Sequence, residues 1–190
     1  MKKTIKVLLA ILIVFSLFGC GKKPDISGEY RLVKIDALTG QIVWENTSAQ
    51  GKYSSKLGEG IYAGLMASPL IGEGDISDLV IYNVNHLQTE EKNKFYSIVY
   101  ALDKETGEEV WSQPIDADSV SSPIAMYEAD GTSYIVMGDN SGVLRLMDGF
   151  TGTTVSSVNL GSAIYASPAA YGNTIVVGTT GGMIYFVELK

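Results

Sequence analysis

The chain has one cysteine, one histidine and only 14 basic residues among its 190 positions. A single thiol, Cys20, cannot join an intrachain disulfide. A single imidazole, His86, would have to serve in any catalytic triad, and no nucleophile motif lies near it, so a general-base role has little to stand on. Against those 14 basic residues stand 21 acidic ones, a net charge of -7. A body this acidic repels phosphate backbones, which argues against nucleic acid as a partner. What is present is ordinary for a globular protein: 46% hydrophobic and 18% charged residues, enough to form a core.

The first twenty residues are of a different kind. MKKTIK is cationic, VLLAILIVFSLF is an uncharged apolar run, and Gly19-Cys20 closes it with a small residue and a thiol. Such a run is short for a membrane span and fits the h-region of a secretory signal. The end of the run resembles the lipobox of bacterial lipoproteins, which implies a signal peptide over 1–19, a lipidated Cys20 as mature N-terminus, and a short polar tether over 20–28. The alternative is an uncleaved anchor helix with an incidental cysteine. Cleavage would also remove Lys2, Lys3 and Lys6, taking the net charge to about -10. The expected location is extracytoplasmic, held to a bacterial cell membrane by the N-terminal lipid.

The rest of the chain repeats itself. DALTGQIVW at 36–44 returns as DKETGEEVW at 103–111 and as DGFTGTTVS at 148–156, with Ser156 where a tryptophan would stand. A second marker keeps step: Ala67-Ser68-Pro69, Ser121-Ser122-Pro123 and Ala166-Ser167-Pro168 each open a short apolar run. Between the markers lie β-branched and aromatic runs such as YIVMG, VLRLMD, TIVVG and MIYFVE, separated by Gly, Asn and Asp turns. This is the pattern of antiparallel strands in a meander, repeated at a period that signals a repeat architecture. With the strands of one unit labelled A to D, the motif is the C to D hairpin. Asp36, Asp103 and Asp148 accept turn N–H groups, Thr39, Thr106 and Thr151 add hydroxyl bonds, and Gly40, Gly107 and Gly152 take the positive φ. Trp44 and Trp111 then leave the same face of strand D and suit the seam between neighbouring sheets.

A C strand ending in Ala101-Leu102-Asp103, then a Thr-Gly turn and a Trp, resembles the repeat of the PQQ-like (quinoprotein-type) β-propellers, and the likeness spans roughly residues 28–190. The resemblance implies an all-β fold of radial four-stranded antiparallel blades with the indoles docked between them. The family includes the propeller lipoprotein of the outer-membrane β-barrel assembly machine, which implies a non-catalytic binding or scaffold role. It also includes dehydrogenases that use pyrroloquinoline quinone with Ca²⁺, the alternative reading, but no ligand set can be placed on matching positions here and no cofactor or metal is expected. Ser156 predicts one weaker seam.

Strand counting gives C and D in residues 29–46, A to D in 67–116, A to D in 121–160 and A to C in 166–188: thirteen strands, about three blades. A propeller needs about four blades to close. The chain is therefore expected to be an incomplete or partial propeller over 29–190, part of a larger ring, paired with another copy or partner that completes it, or an open arc. Marker spacing also locates two insertions. Trp44 to Pro69 is thirteen residues longer than Trp111 to Pro123, and Pro69 to Asp103 is nine longer than Pro123 to Asp148. Both insertions, in the D to A and B to C connections, fall on one face of a meander. They bring together Tyr53, Lys56, Tyr62, His86, Glu90, Lys92 and Tyr96 as a candidate binding face for a protein or cell-envelope ligand, expected in loops. The acidic run at Glu73, Asp75 and Asp78 lacks a calcium-loop spacing and reads as the A to B turn.

Overall fold

The computed structural model describes residues 27–29, 32–47, 52–54, 67–88 and 94–189. Among them every regular element is a strand except a single 3-10 turn at Gly74–Ile76. The first repeat supplies β1 (Ser27–Glu29), β2 (Leu32–Ile35), β3 (Ile42–Asn46) and β4 (Lys52–Ser54). β2 pairs with β3 and β1 with β4, the second pair nested outside the first, so the expected C to D hairpin is longer than its motif alone indicates.

The second repeat is a full sheet in the order β5-β6-β7-β8, made of Leu70–Ile71, Leu79–Gln88, Lys94–Asp103 and Glu109–Ile115. A third sheet joins β9 (Ile124–Tyr127), β10 (Ser133–Gly138), β11 (Val143–Asp148) and β12 (Thr154–Asn159), each strand beside its sequence neighbour. The last sheet holds three strands, β13 (Ala169–Tyr171), β14 (Thr174–Gly178) and β15 (Ile184–Glu188). All pairs are antiparallel. The chain is an all-β arc of four-stranded propeller blades, two complete and two partial. The thirteen strands counted from the repeats are present, joined by the short β1 and β4.

The core lies between sheets, and period-two alternation decides which seam each side chain enters. On β6 and β7, Tyr82, Val84, Tyr100 and Leu102 face the first hairpin, where Leu32 and Trp44 pack on them. The intervening Leu79, Ile81, Val99 and Ala101 face the third sheet and bury against Ile135, Met137 and Met147, with Trp111 alongside. The opposite face of the third sheet puts Met126, Val136 and Leu144 against Ile164, Ile175 and Val177. A strand buried on both faces needs apolar residues at consecutive positions. The run Ile135-Val136-Met137 on β10 has them, all with no exposed surface.

The B to C insertion of the second repeat was expected to be loop. Instead the β6–β7 ladder continues without a break from Leu79 opposite Asp103 to Gln88 opposite Lys94. Asn83 and Asn85, which read as loop residues, are fully buried and donate from Nδ2 to the Ser119 carbonyl at 3.0 and 2.9 Å. Ser119 N–H answers Asn85 Oδ1 at 2.9 Å. The next D to A connection comes to meet them and satisfies both ends of the Asn85 amide and the Nδ2 of Asn83, while Asn83 Oδ1 is buried without a partner among the described residues.

Candidate interaction site

The motif turns are built alike. Asp36 Oδ1 accepts from Leu38 N (2.9 Å), Thr39 N (2.7 Å) and Thr39 Oγ1 (2.9 Å). Asp103 accepts from Glu105 N (2.9 Å) and Thr106 N (2.7 Å), and Asp148 from Thr151 N (2.7 Å) and Thr151 Oγ1 (2.8 Å). Bonds from Thr39 hold the Asp36 carboxyl below its ordinary range, and the Thr106 and Glu105 N–H groups do the same for Asp103. Gly40, Gly107 and Gly152 close the turns at φ 70, 75 and 72.

Two of these glycines have a second task. A Cβ on Gly107 would stand 2.6 Å from the Trp44 ring, and one on Gly152 would stand 2.5 Å from that of Trp111. Each indole thus lies flat on the motif glycine of the following sheet, where a side chain would push it off. Trp44 Nε1 donates to the Lys104 carbonyl at 3.1 Å, Asn46 Nδ2 to the Gly107 carbonyl at 2.7 Å, and Lys34 Nζ to the Lys104 carbonyl at 3.0 Å. Trp111 Nε1 is buried without a partner among the described residues. The Ser-Pro marker couples sheets as well: Ser68 N donates to Ser122 Oγ at 3.0 Å and Ser122 N to Ser167 Oγ at 2.9 Å.

One further repeated device was not foreseen. The C to D ladder slips by one residue just before each motif aspartate, at Lys34/Ile35, Ala101/Leu102 and Leu146/Met147. The slip leaves Val43, Val110 and Val155 unpaired and 55%, 53% and 57% exposed, as a bulge does. The recurring Val beside the Trp position, also present before Ser156, was the available signal.

At the third seam the indole is missing. Ser156 takes its place opposite Leu146, and a cleft of about 600 Å³ opens between β12 and the last sheet, lined by Arg145, Val155, Ser156, Val158, Ile175 and Val187 among others. Beside it β15 is the edge of its sheet, with Ile184 and Phe186 exposed. The cleft is mixed in character, with Glu128, Arg145, Asn173 and Glu188 beside its apolar groups, and by alternation along β15 Ile184 and Phe186 point away from Val187, which lines it.

The candidate binding face is only partly described. His86 and Tyr96 lie on paired strands, not in loops, directly opposite each other with rings stacked at 5.2 Å. Burial lowers the His86 pKa, and its Nε2 has no partner among the described residues. Tyr53 is on β4, whose backbone alone is described, and Lys56, Tyr62, Glu90, Lys92 and Cys20 lie outside the described residues. Glu73, Asp75 and Asp78 surround the 3-10 turn, with Asp78 paired to Lys104 at 3.5 Å. Among the described residues no set of groups fits the quinone and Ca²⁺ of the resembled enzymes. Among the described residues no three His, Cys, Asp or Glu side chains converge, and the motif carboxylates are spent on their own turns.

Antiparallel sheets repeated in register, two of them seated by a tryptophan on the next sheet's Thr-Gly turn, define a propeller-repeat protein of the PQQ-like kind. Residues 94–190, half of the chain, match the family described as outer membrane protein assembly factor BamB, and the chain belongs to that family. It is 34% identical over 92 residues to the outer membrane protein assembly factor BamB of Burkholderia pseudomallei, covering 47% of this chain and 23% of that protein. The chain thus spans about a quarter of the length of that relative. The fold is also similar to that of two computationally designed proteins, Ika8 and Ika4. Ika8 aligns at a TM-score of 0.54 with 15% identity over 90% of this chain and 44% of its own. Ika4 aligns at 0.52 with 14% identity over 90% of this chain and 88% of its own.

Proposed function

We propose that this chain is a lipid-anchored extracytoplasmic scaffold that binds protein without catalysis, in the service of outer-membrane protein assembly. In this reading residues 1–19 are the signal peptide, Cys20 carries the lipid, 20–28 are the tether and 29–190 the repeat domain. The observation that carries it is the cleft at Ser156 between β12 and the last sheet, where the repeat's tryptophan is replaced and the seam stands open. A protein segment laid there gains burial against Val155, Val158, Ile175 and Val187 and polar partners from Arg145 and Glu188. Membership in the BamB family supports assembly as the process, because the Burkholderia relative is an outer membrane protein assembly factor by its description.

The test is deletion of the gene in the source bacterium with pulse-labelling of outer-membrane barrel proteins and a heat-modifiability gel. Slowed conversion to the folded form is expected, restored by the wild-type gene. Cys20→Ala should shift the chain from membrane to soluble fraction. Unchanged folding kinetics in the deletion strain would remove the assembly role. Reduction of an electron-acceptor dye by the purified chain with quinone and Ca²⁺ would overturn the non-catalytic reading.

A further inference from the structure

The outer strands of the two complete sheets, β8 and β12, are guarded differently. Both pair on one side only among the described residues, and both carry the same ladder slip between their first and third residues. Register therefore sets Glu109 of β8 level with Thr154 of β12, and Pro114 level with Asn159. Leu160 N donates to the Gly142 carbonyl at 2.8 Å, which fixes the phase of the β11–β12 ladder. By alternation the N–H and C=O groups of Ser157 and Asn159 turn outward, away from β11. In β8 the outward positions are Ser112 and Pro114, and a proline has no N–H to offer. On β3 the position matching Ser157 carries Glu45. A charge or a proline on an outer strand keeps a foreign strand from pairing with it. β12 reads Thr-Val-Ser-Ser-Val-Asn, has neither guard, and is exposed at every residue.

The Ser156 cleft reaches this free edge. It is lined by β12 from Val155 to Val158 without a gap, although successive side chains of a strand point to opposite faces, so it follows the main chain and not one face alone. Its charges are unevenly answered. Arg145 is neutralised by the buried Asp139, whereas Glu128 and Glu188 are exposed and have no ion-pair partner among the described residues. We infer that β12 receives an extended segment of another protein as an added strand, and that this segment carries a lysine or arginine beside alternating apolar residues. The outward groups of Ser157 and Asn159 supply the main-chain bonds, the cleft buries the apolar side chains, and the two carboxylates select the basic one. A second copy of this chain fits poorly. β12 laid on β12 brings no charge to the carboxylates and sets two acidic bodies of net charge -7 side by side. The inference rests on the partner-binding reading above and adds how the partner is held.

The test places benzoylphenylalanine at position 155 of the full-length chain expressed in its own cell, followed by irradiation and peptide mapping of the adducts. The expected product joins a different chain within a proline-free segment that carries a lysine or arginine among alternating apolar residues. Asn159→Pro gives β12 the guard that β8 already has and leaves the cleft as it is. It should cut the adduct about tenfold, the loss of one main-chain bond and of the fit around it, at an unchanged melting temperature. Asn159→Ala keeps the N–H and should leave the adduct unchanged. If Asn159→Pro lowers the melting temperature, Ser157→Lys against Ser157→Glu reads the same edge by charge, with loss expected for the lysine variant only. An adduct with a second copy, a junction rich in acidic residues or prolines, or equal losses in Asn159→Pro and Asn159→Ala would each overturn the inference. An adduct with another protein that survives both Asn159→Pro and Ser157→Lys would leave the partner-binding reading standing while strand addition falls; no adduct at all would remove both.

Discussion

The second and third seams of the arc are made from copies of one repeat and are finished differently. At the second, the Trp111 indole covers Gly152 and flanks a buried cluster running from Ile76 to Met147. At the third, Ser156 leaves β12 exposed along its whole length above a cleft of about 600 Å³, yet Val136, Ile164, Ile175 and Val177 are still buried behind it. Sheet-on-sheet burial and closure by the indole are therefore separable. The first packs the arc, and the second seals its edge strands.

The sharpest way to break this contrast is to turn the second seam into the third. Trp111→Ala should lower unfolding free energy by about 3 kcal/mol in urea denaturation, the range for losing a large aromatic that is well packed though not fully buried. Next in size is a pair of glycine substitutions. Gly152→Ala both strains a positive φ and drives a methyl into the indole, costing about 2–3 kcal/mol. Gly40→Ala meets only the backbone strain and should cost about 1 kcal/mol. Equal losses at the two glycines would show that the indole contact contributes nothing. In the opposite direction, Ser156→Trp gives the third seam what the second has and should raise stability by about 1 kcal/mol, read as a higher melting temperature. No gain would mean that the cleft, which has no following Asp-x-x-Thr-Gly motif turn among the described residues, has no floor for the ring.

The smallest effect concerns the turns themselves. Asp36 and Asp103 have folded pKa values below the ordinary 3.8, so they titrate later in the native chain than in the unfolded one. Their contribution is complete above about pH 4 and is lost as pH falls through the depressed folded values. Asp103→Asn should flatten that part of the melting-temperature profile between about pH 4 and 2 relative to wild type. A parallel profile would show that the turn does not prefer the charged form.

The repeat was legible because each motif marks one hairpin, and a hairpin fixes the two strands beside it. The long β6–β7 ladder was not, because Asn83 and Asn85 have loop composition and are buried only by virtue of Ser119, thirty-four residues away from Asn85. The pairing of His86 with Tyr96 follows from that ladder and was hidden with it. The turn role of the motif glycines could be read locally from Thr-Gly. The role of Gly107 and Gly152 as floors could not, since each serves the tryptophan of the preceding copy and the contact exists only once the sheets are side by side. The missing indole at Ser156 was readable as an absence, and so were the three strands of the last sheet; the cleft between them was not, since it exists only once the two sheets are side by side.

The serine relay has a consequence for how such a chain can change length. Ser68 N–H leans on the Ser122 hydroxyl and Ser122 N–H on the Ser167 hydroxyl, in the same direction, so the sheet entered at Ser122 carries both a plug and a socket. A sheet duplicated or excised whole would leave neighbours with matching fittings. Gain or loss of entire blades is thus mechanically cheaper for this architecture than trimming a single strand.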